Sequence, residues 1–234
     1  MTFDVIAFDA DDTLWHSEDG FHANEKLFVE LVSPFAASGV DVAAALTAVE
    51  RKNLAAFGYG VKAFGLSAVE AAITISEGRV PSAIIGELVE MIRAQLTEPV
   101  RLLPDVAEVL ARVGRHHRMV LITKGDLIHQ THKVETSGLA HHFSDIEILL
   151  EKDSGMYDRI FQKLGITADR VCMVGNSLRS DILPVLALGG TAVHIPYPLL
   201  FALERIDPVD LSEHASFAEL GSIAELPDWL GLSS

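Results

Sequence analysis

The sequence predicts an α/β fold: a parallel sheet covered by helices on both faces, interrupted by one long all-helical insertion. Two observations carry this. Short apolar runs at Val5 to Phe8, Met119 to Ile122, Ile146 to Leu150, Val171 to Val174 and Thr191 to Ile195 have the length and unbroken apolar character of strands buried on both faces. Between them the apolar period becomes helical, as in Val106, Val109, Leu110 and Val113, and again in Tyr157, Ile160, Phe161 and Leu164. Regular alternation of strand and helix implies a parallel sheet whose ligands bind beyond the C-terminal strand ends.

The punctuation agrees. Asp126 and Ser154 are placed to cap helix N-termini, and Gly114, Gly138, Gly165 and Gly189 stand where left-handed C-terminal residues belong. Pro184 is tolerated if its helix begins near Ser180, in a first turn where a missing donor costs little. From Trp15 to about Val100 there is no strand candidate, only helical sequence such as Val40 to Leu54 and Ser82 to Leu96. That length exceeds a simple crossover. The expected domains are therefore a sheet core of residues 1–15 and 100–234 and a helical insertion of residues 16–99, expected to fold over the first strand's C-terminal end as a lid. The last stretch, Pro196 to Ser234, is expected to wrap the sheet edge, with Phe217, Leu220 and Trp229 packing down.

Composition excludes several classes of function. Hydrophobic residues at 49% and charged residues at 22% describe a packed protein and rule out a disordered one. Lys and Arg total 18 against 33 Asp and Glu, a formal charge of −15 that repels nucleic-acid polymers and anionic membrane surfaces. The single cysteine, Cys172, fits a reducing compartment and is expected to be buried. Residues Met1 to Phe8 read as a strand and not as a leader, and no uncharged apolar run approaches the roughly 18 residues of a membrane span, so a cytoplasmic location is expected. Oligomeric state is left open.

The first strand runs into Asp9-Ala10-Asp11-Asp12-Thr13. Three carboxylates within four residues repel one another unless a cation offsets them, and a hard divalent ion with oxygen ligands, Mg2+ where a phosphate is also present, is the physical solution. A carboxylate held there can attack phosphorus, the role given to Asp9. A second acid two positions on can protonate the leaving alcohol and then deprotonate water, the role given to Asp11. The plain alternative is a capping or calcium-binding turn. The second core strand ends at Thr123-Lys124-Gly125, a hydroxyl and amides able to hold phosphate oxygens, or merely an ordinary cap. The third leads to Lys152, a point charge for nucleophile and phosphate, or one more surface lysine. The fourth ends in Gly175-Asn176-Ser177-Leu178-Arg179-Ser180-Asp181, where Asn176 and Asp181 are candidate metal ligands, or a loop and a capped helix. Polar clusters at four successive strand ends together favour a catalytic site over each plain reading.

At these residues the chain resembles the phosphatase branch of the haloacid dehalogenase-like superfamily, over nearly its whole length. Asp9, Asp11 and Thr13 match the first motif, Thr123 the second, Lys152 the third, and Gly175 and Asp181 the fourth, where Asn176 replaces the usual aspartate. The resemblance implies a Rossmann-like sheet with a helical cap. It also implies Mg2+ bound by the Asp9 side chain, the Asp11 backbone carbonyl and the fourth-motif loop of Asn176 and Asp181. Dehalogenases of the superfamily need no metal and lack the second aspartate that Asp11 supplies. Phosphonate-cleaving relatives use a cap lysine with another residue at that position, so Lys52 and Lys62 do not point that way.

The expected activity is hydrolysis of a small phosphorylated metabolite through an aspartyl-phosphate, with a phosphosugar mutase or a catalytically weak regulatory protein as alternatives. The ten histidines, His116, His117, His129, His132, His141 and His142 among them, are read as solvated and not as zinc ligands. Arg51, Asn53, Tyr59 and Lys62 around Phe57-Gly58-Tyr59-Gly60 could read a leaving group, but core packing for Tyr59 and a solvated face for the charges is preferred.

Overall fold

The computed structural model describes residues 2–232. Among them, six strands form one all-parallel sheet: β1 Val5–Phe8, β2 Arg118–Lys124, β3 Asp145–Leu149, β4 Val171–Gly175, β5 Thr191–His194 and β6 Phe217–Glu219. Their order is β3-β2-β1-β4-β5-β6, so β1 is central, with Ile6 opposite Met119 on one side and Cys172 on the other. From β1 the chain first builds outward through β2 and β3, then returns to build the other way from β4. The reversal opens a crevice at the C-terminal ends of β1 and β4, where α/β sheets bind ligands.

The chain divides into two compact units, Met1–His16 with Val100–Ser234, and Ser17–Pro99. The first holds the sheet. Alternate strand residues face opposite ways: Ile6, Phe8, Met119, Leu121, Cys172 and Val174 pack with Val109, Leu110 and Val113 of one helix, whereas Val5, Ala7, Val120, Ile122, Val171 and Met173 pack with Tyr157, Ile160 and Phe161 of another. The second unit is all helical, with α1 Glu18–Val32, α2 Val42–Phe57, α3 Val61–Ile75 and α4 Ser82–Thr97 around a separate core of Phe28, Leu46, Phe64, Ala68 and Leu88. The remaining helices, all in the first unit, are α5 Val106–Val113, α6 Leu127–Thr136, α7 Ser154–Leu164, α8 Leu183–Ala187 and α9 Leu226–Trp229.

Several local expectations need correction. Gly114 is right-handed, at φ −66, and is a glycine for space: an added Cβ would lie 3.0 Å from Met119 Cε and 3.1 Å from the Leu110 carbonyl. The α7 cap is Asp153, which accepts from the Met156 amide at 2.8 Å, so Ser154 is already inside the helix. Between β4 and α8 the chain makes a π-helical turn over Leu178–Ile182, and Pro184 lies in the first turn of a helix that starts at Leu183. The C-terminal stretch adds β6 to the sheet edge, which was not expected; its three residues are too few to show a period. Leu220 is buried and the Trp229 ring stacks on Phe3 at 6.2 Å, while Ser233 and Ser234 lie outside the described residues.

Candidate active site

β1 delivers Asp9 to the crevice, and the residues after it turn at once. The Ala10 carbonyl accepts from the amides of Thr13 and Leu14 at 3.3 and 2.8 Å, and Asp12 takes a left-handed φ of 63, which a short polar side chain tolerates. The turn separates the acids. Asp9 Oδ2 accepts from the Thr13 hydroxyl at 2.9 Å, and that hydroxyl also lies 3.5 Å from Asn176 Oδ1. Asp9 Oδ1 lies 2.5 Å from Lys152 Nζ, which in turn lies 2.7 Å from Asp181 Oδ1.

Asp9, Lys152 and Asp181 are 6%, 4% and 1% exposed, so the triad is largely withdrawn from solvent and its charges are weakly screened. Burial pushes the Asp9 carboxyl up, to about 7, with Asp181 and Asp11 adding to the rise and Lys152 opposing it. Burial also works against the Lys152 charge, but Asp181 and Asp9 outweigh it and hold the ammonium well above its usual range. Asp181 is fixed through Oδ2 by the Ser177 amide at 3.0 Å. Gly175 makes room for it: a Cβ there would fall 2.4 Å from Asp181 Cγ.

Asp11 belongs to a different cluster. Its Oδ1 accepts from Trp15 Nε1 and Lys133 Nζ, both at 2.6 Å, and its Oδ2 from Gln130 Nε2 at 3.1 Å. Burial would raise this carboxyl, yet the Lys133 charge and these three hydrogen bonds carry it below the usual carboxylate range. Gln130 Nε2 also reaches Thr123 Oγ1 at 2.8 Å and the Lys124 carbonyl at 3.1 Å, tying the end of β2 to Asp11. Lys124 itself pairs with Glu204 at 2.5 Å and donates to Ser180 Oγ at 2.8 Å, and Glu204 also accepts from Ser177 and Ser180 at 2.7 and 2.6 Å. The Gly125 amide donates to the Leu149 carbonyl at 3.0 Å. Lys124 and Gly125 thus have partners inside the protein.

A family model of haloacid dehalogenase-like hydrolases matches residues 3–189. The chain belongs to this family. Among solved structures it is similar to a haloacid dehalogenase-like family hydrolase from Xanthomonas campestris, at 38% identity and a TM-score of 0.87 over 98% of this chain and 91% of that one. It also resembles the HAD-hydrolase YfnB from Bacillus subtilis bound to magnesium, at 15% identity and a TM-score of 0.67 over 99% and 100% of the two chains. A third is the 2-haloacid dehalogenase from Pseudomonas syringae pv. Tomato DC3000, at 19% identity and a TM-score of 0.63 over 98% and 99%. The latter two show the shared fold alone. A comparison with curated proteins found no match.

For a haloacid dehalogenase-like hydrolase, the donor set bears on metal binding. Among the described residues no three His, Cys, Asp or Glu side chains gather closely enough to hold an ion by themselves. Mg2+ does not require that: one or two carboxylates with waters and substrate phosphate suffice. Asp9, Asp181 and the amide oxygen of Asn176 converge within one hydrogen bond of Lys152 or Thr13, and all are hard oxygen donors. The set fits such an ion. The Asp11 carboxylate is occupied by Lys133, Trp15 and Gln130 and is not counted among these donors.

Sequence reasoning missed Trp15, Gln130, Lys133, Ser177, Ser180 and Glu204. A signal existed for two of them: Gln130 and Lys133 stand at i, i+3 and are buried together with Val134 on α6, so polar residues occupy its inward face. Glu204 carried none. Among the described residues, no helix is long and apolar enough to cross a membrane.

Proposed function

We propose that this hydrolase is a Mg2+-dependent phosphomonoesterase acting on a small phosphorylated metabolite through an aspartyl-phosphate, an acyl phosphate formed on Asp9. One observation carries the reading: Asp9, buried, and Asp11, partly buried, leave the same turn with separate ammonium partners, Lys152 and Lys133, so the strand end offers two distinct carboxylates, one for attack and one for proton transfer. Dehalogenation needs only the first. The bound Mg2+, held by Asp9, Asp181, Asn176 and the Asp11 carbonyl, would supply positive charge to offset the phosphate and the Asp9 carboxylate.

In the first half-reaction an Asp9 oxygen attacks phosphorus, the bond to the leaving oxygen breaks, and Asp11 passes a proton to that oxygen. An arriving phosphate dianion makes a second negative charge beside it costly, which favours the protonated Asp11 this step needs. In the second, Asp11 takes a proton from water as the water oxygen attacks phosphorus, releasing inorganic phosphate and free Asp9. Lys152 stays charged throughout and spreads the charge on the transferring group, with the Thr123 hydroxyl as a donor to a phosphate oxygen. Lys124 and Gly125 line the same strand end in this reading. The helical unit Ser17–Pro99 is assigned the choice of metabolite, in a cytoplasmic setting suited to the lone thiol of Cys172.

The test is phosphate release from 4-nitrophenyl phosphate with and without Mg2+, beside halide release from 2-chloropropionate. Mg2+-dependent phosphate release that Asp9→Asn lowers by about 10³-fold or more supports the reading. Halide release without phosphate release makes the protein a dehalogenase. Loss of both activities makes it a binding protein, and phosphate transfer between sugar hydroxyls makes it a mutase.

A further inference from the structure

We infer that Lys133 is a positioning residue for the reaction, holding the Asp11 carboxylate in place and, with Gln130, locking it to the Thr123 strand end. The inference rests on the phosphomonoesterase reading and adds a residue to it. Lys133 lies on α6, 122 residues from Asp11 in sequence, and its ammonium reaches Asp11 Oδ1 at 2.6 Å with the side chain only 10% exposed. Burying an ammonium is costly unless it is paired at short range, so such a group on the inward face of a helix is stable only with its carboxylate. The arrangement around Asp11 is more specific than an ion pair. Trp15 Nε1 and Lys133 share Oδ1, while Gln130 takes Oδ2 and with the same nitrogen reaches Thr123 Oγ1 and the Lys124 carbonyl. Three donors from two directions define both the position and the plane of the carboxylate. Gln130 and Lys133, three residues apart, keep those donors on one helical face. The N-terminus of α6 is fixed by Asp126, which accepts from the His129 amide at 2.9 Å, so the two side chains start from a rigid turn.

A proton-transfer group misplaced by about 1 Å loses on the order of 10²-fold in rate. The variant Lys133→Met keeps the apolar stem and removes the charge, leaving Trp15 and Gln130 on Asp11. It should lower kcat for 4-nitrophenyl phosphate about 10- to 100-fold, with KM and the half-saturating Mg2+ concentration changed less than about twofold. Lys133→Arg, which keeps the charge and can still reach a carboxylate, should recover most of the loss. In an Asp11→Asn background, Lys133→Met should cost no further rate, because the group it positions is gone.

An unchanged kcat in folded Lys133→Met, a loss carried by KM or Mg2+, or an undiminished loss in the Asp11→Asn background would each overturn the inference while leaving the phosphomonoesterase reading intact. If Lys133→Met does not fold, Lys133→Arg decides: wild-type kcat supports the role, and a folded arginine variant as slow as Asp11→Asn sinks it. A wild-type protein that releases no phosphate from any Mg2+-supplied ester removes the reading and this inference together.

Discussion

Each ammonium in the candidate site answers a particular carboxylate. Lys152 bridges Asp9 and Asp181, Lys133 serves Asp11, and Lys124 serves Glu204. With Glu151, 3.5 Å from Lys124, five carboxylates face three ammonium groups, so acidic groups are in excess in these pairs. A doubly positive ion and a doubly negative phosphate arriving together preserve that balance, whereas either alone disturbs it. The contact most sensitive to one added atom is Gly175 against Asp181. In Gly175→Ala the new methyl would sit 2.4 Å from Asp181 Cγ and push the carboxylate off Lys152. We expect Gly175→Ala to destabilise the protein by about 1–3 kcal/mol and to raise the Mg2+ concentration needed for half-maximal activity, read by chemical denaturation and a Mg2+ titration. Wild-type values for both would show that Asp181 has no such dependence.

The element that matters most for the site is α6, because one ten-residue helix carries Gln130 and Lys133 and is separated from the end of β2 only by Gly125 and Asp126. Its capping carboxylate, Asp126, satisfies the His129 amide. Asp126→Ala should cost about 1 kcal/mol of stability by losing this bond, and Asp126→Asn should lose less, since the amide oxygen still accepts. If the Asp126→Ala melting temperature equals that of the wild type, the cap contributes nothing. The π-helical turn at Leu178–Ile182 does comparable work on the other side. There the Ser177 hydroxyl caps the turn by accepting from the Ser180 amide at 3.1 Å, while the Ser177 amide donates to Asp181.

At the scale of the whole chain, the two units are stabilised differently. The sheet unit concentrates its buried charges in compensated pairs. The helical unit contains Glu50, 9% exposed on α2, whose carboxyl is pushed up to about 7 by burial and then by Glu25. The folded value exceeds the ordinary 4.5, so the folded state holds its proton more tightly than the unfolded chain. Stability from this group is therefore full below pH 4.5 and falls away as pH rises from 4.5 to about 7. Glu50→Gln should be more stable than the wild type by on the order of 1–3 kcal/mol at pH 8, with the difference vanishing near pH 4.5. Thermal denaturation of both proteins across that range checks this, and a constant offset would refute it.

What the amino-acid sequence determined by itself was whatever repeats over short distances. Val5 to Phe8 and Val171 to Val174 read as doubly buried strands because every residue is apolar, and α5 and α7 because their apolar residues recur every three or four positions. Asp9, Thr123, Lys152 and Asp181 were legible by position: Asp9 follows β1, Thr123 lies at the end of β2, and Lys152 and Asp181 stand within a few residues beyond β3 and β4, so a parallel sheet brings them to one end. Only the tertiary structure decided which groups pair across the chain. That Asp11 meets Lys133 and not the Asp9 cluster, that Lys124 is held by Glu204, and that Phe217–Glu219 joins the sheet edge depend on contacts between residues up to 122 positions apart. Such contacts exist only once the helices have packed, because the burial and short distance that give a charge its partner leave no local period.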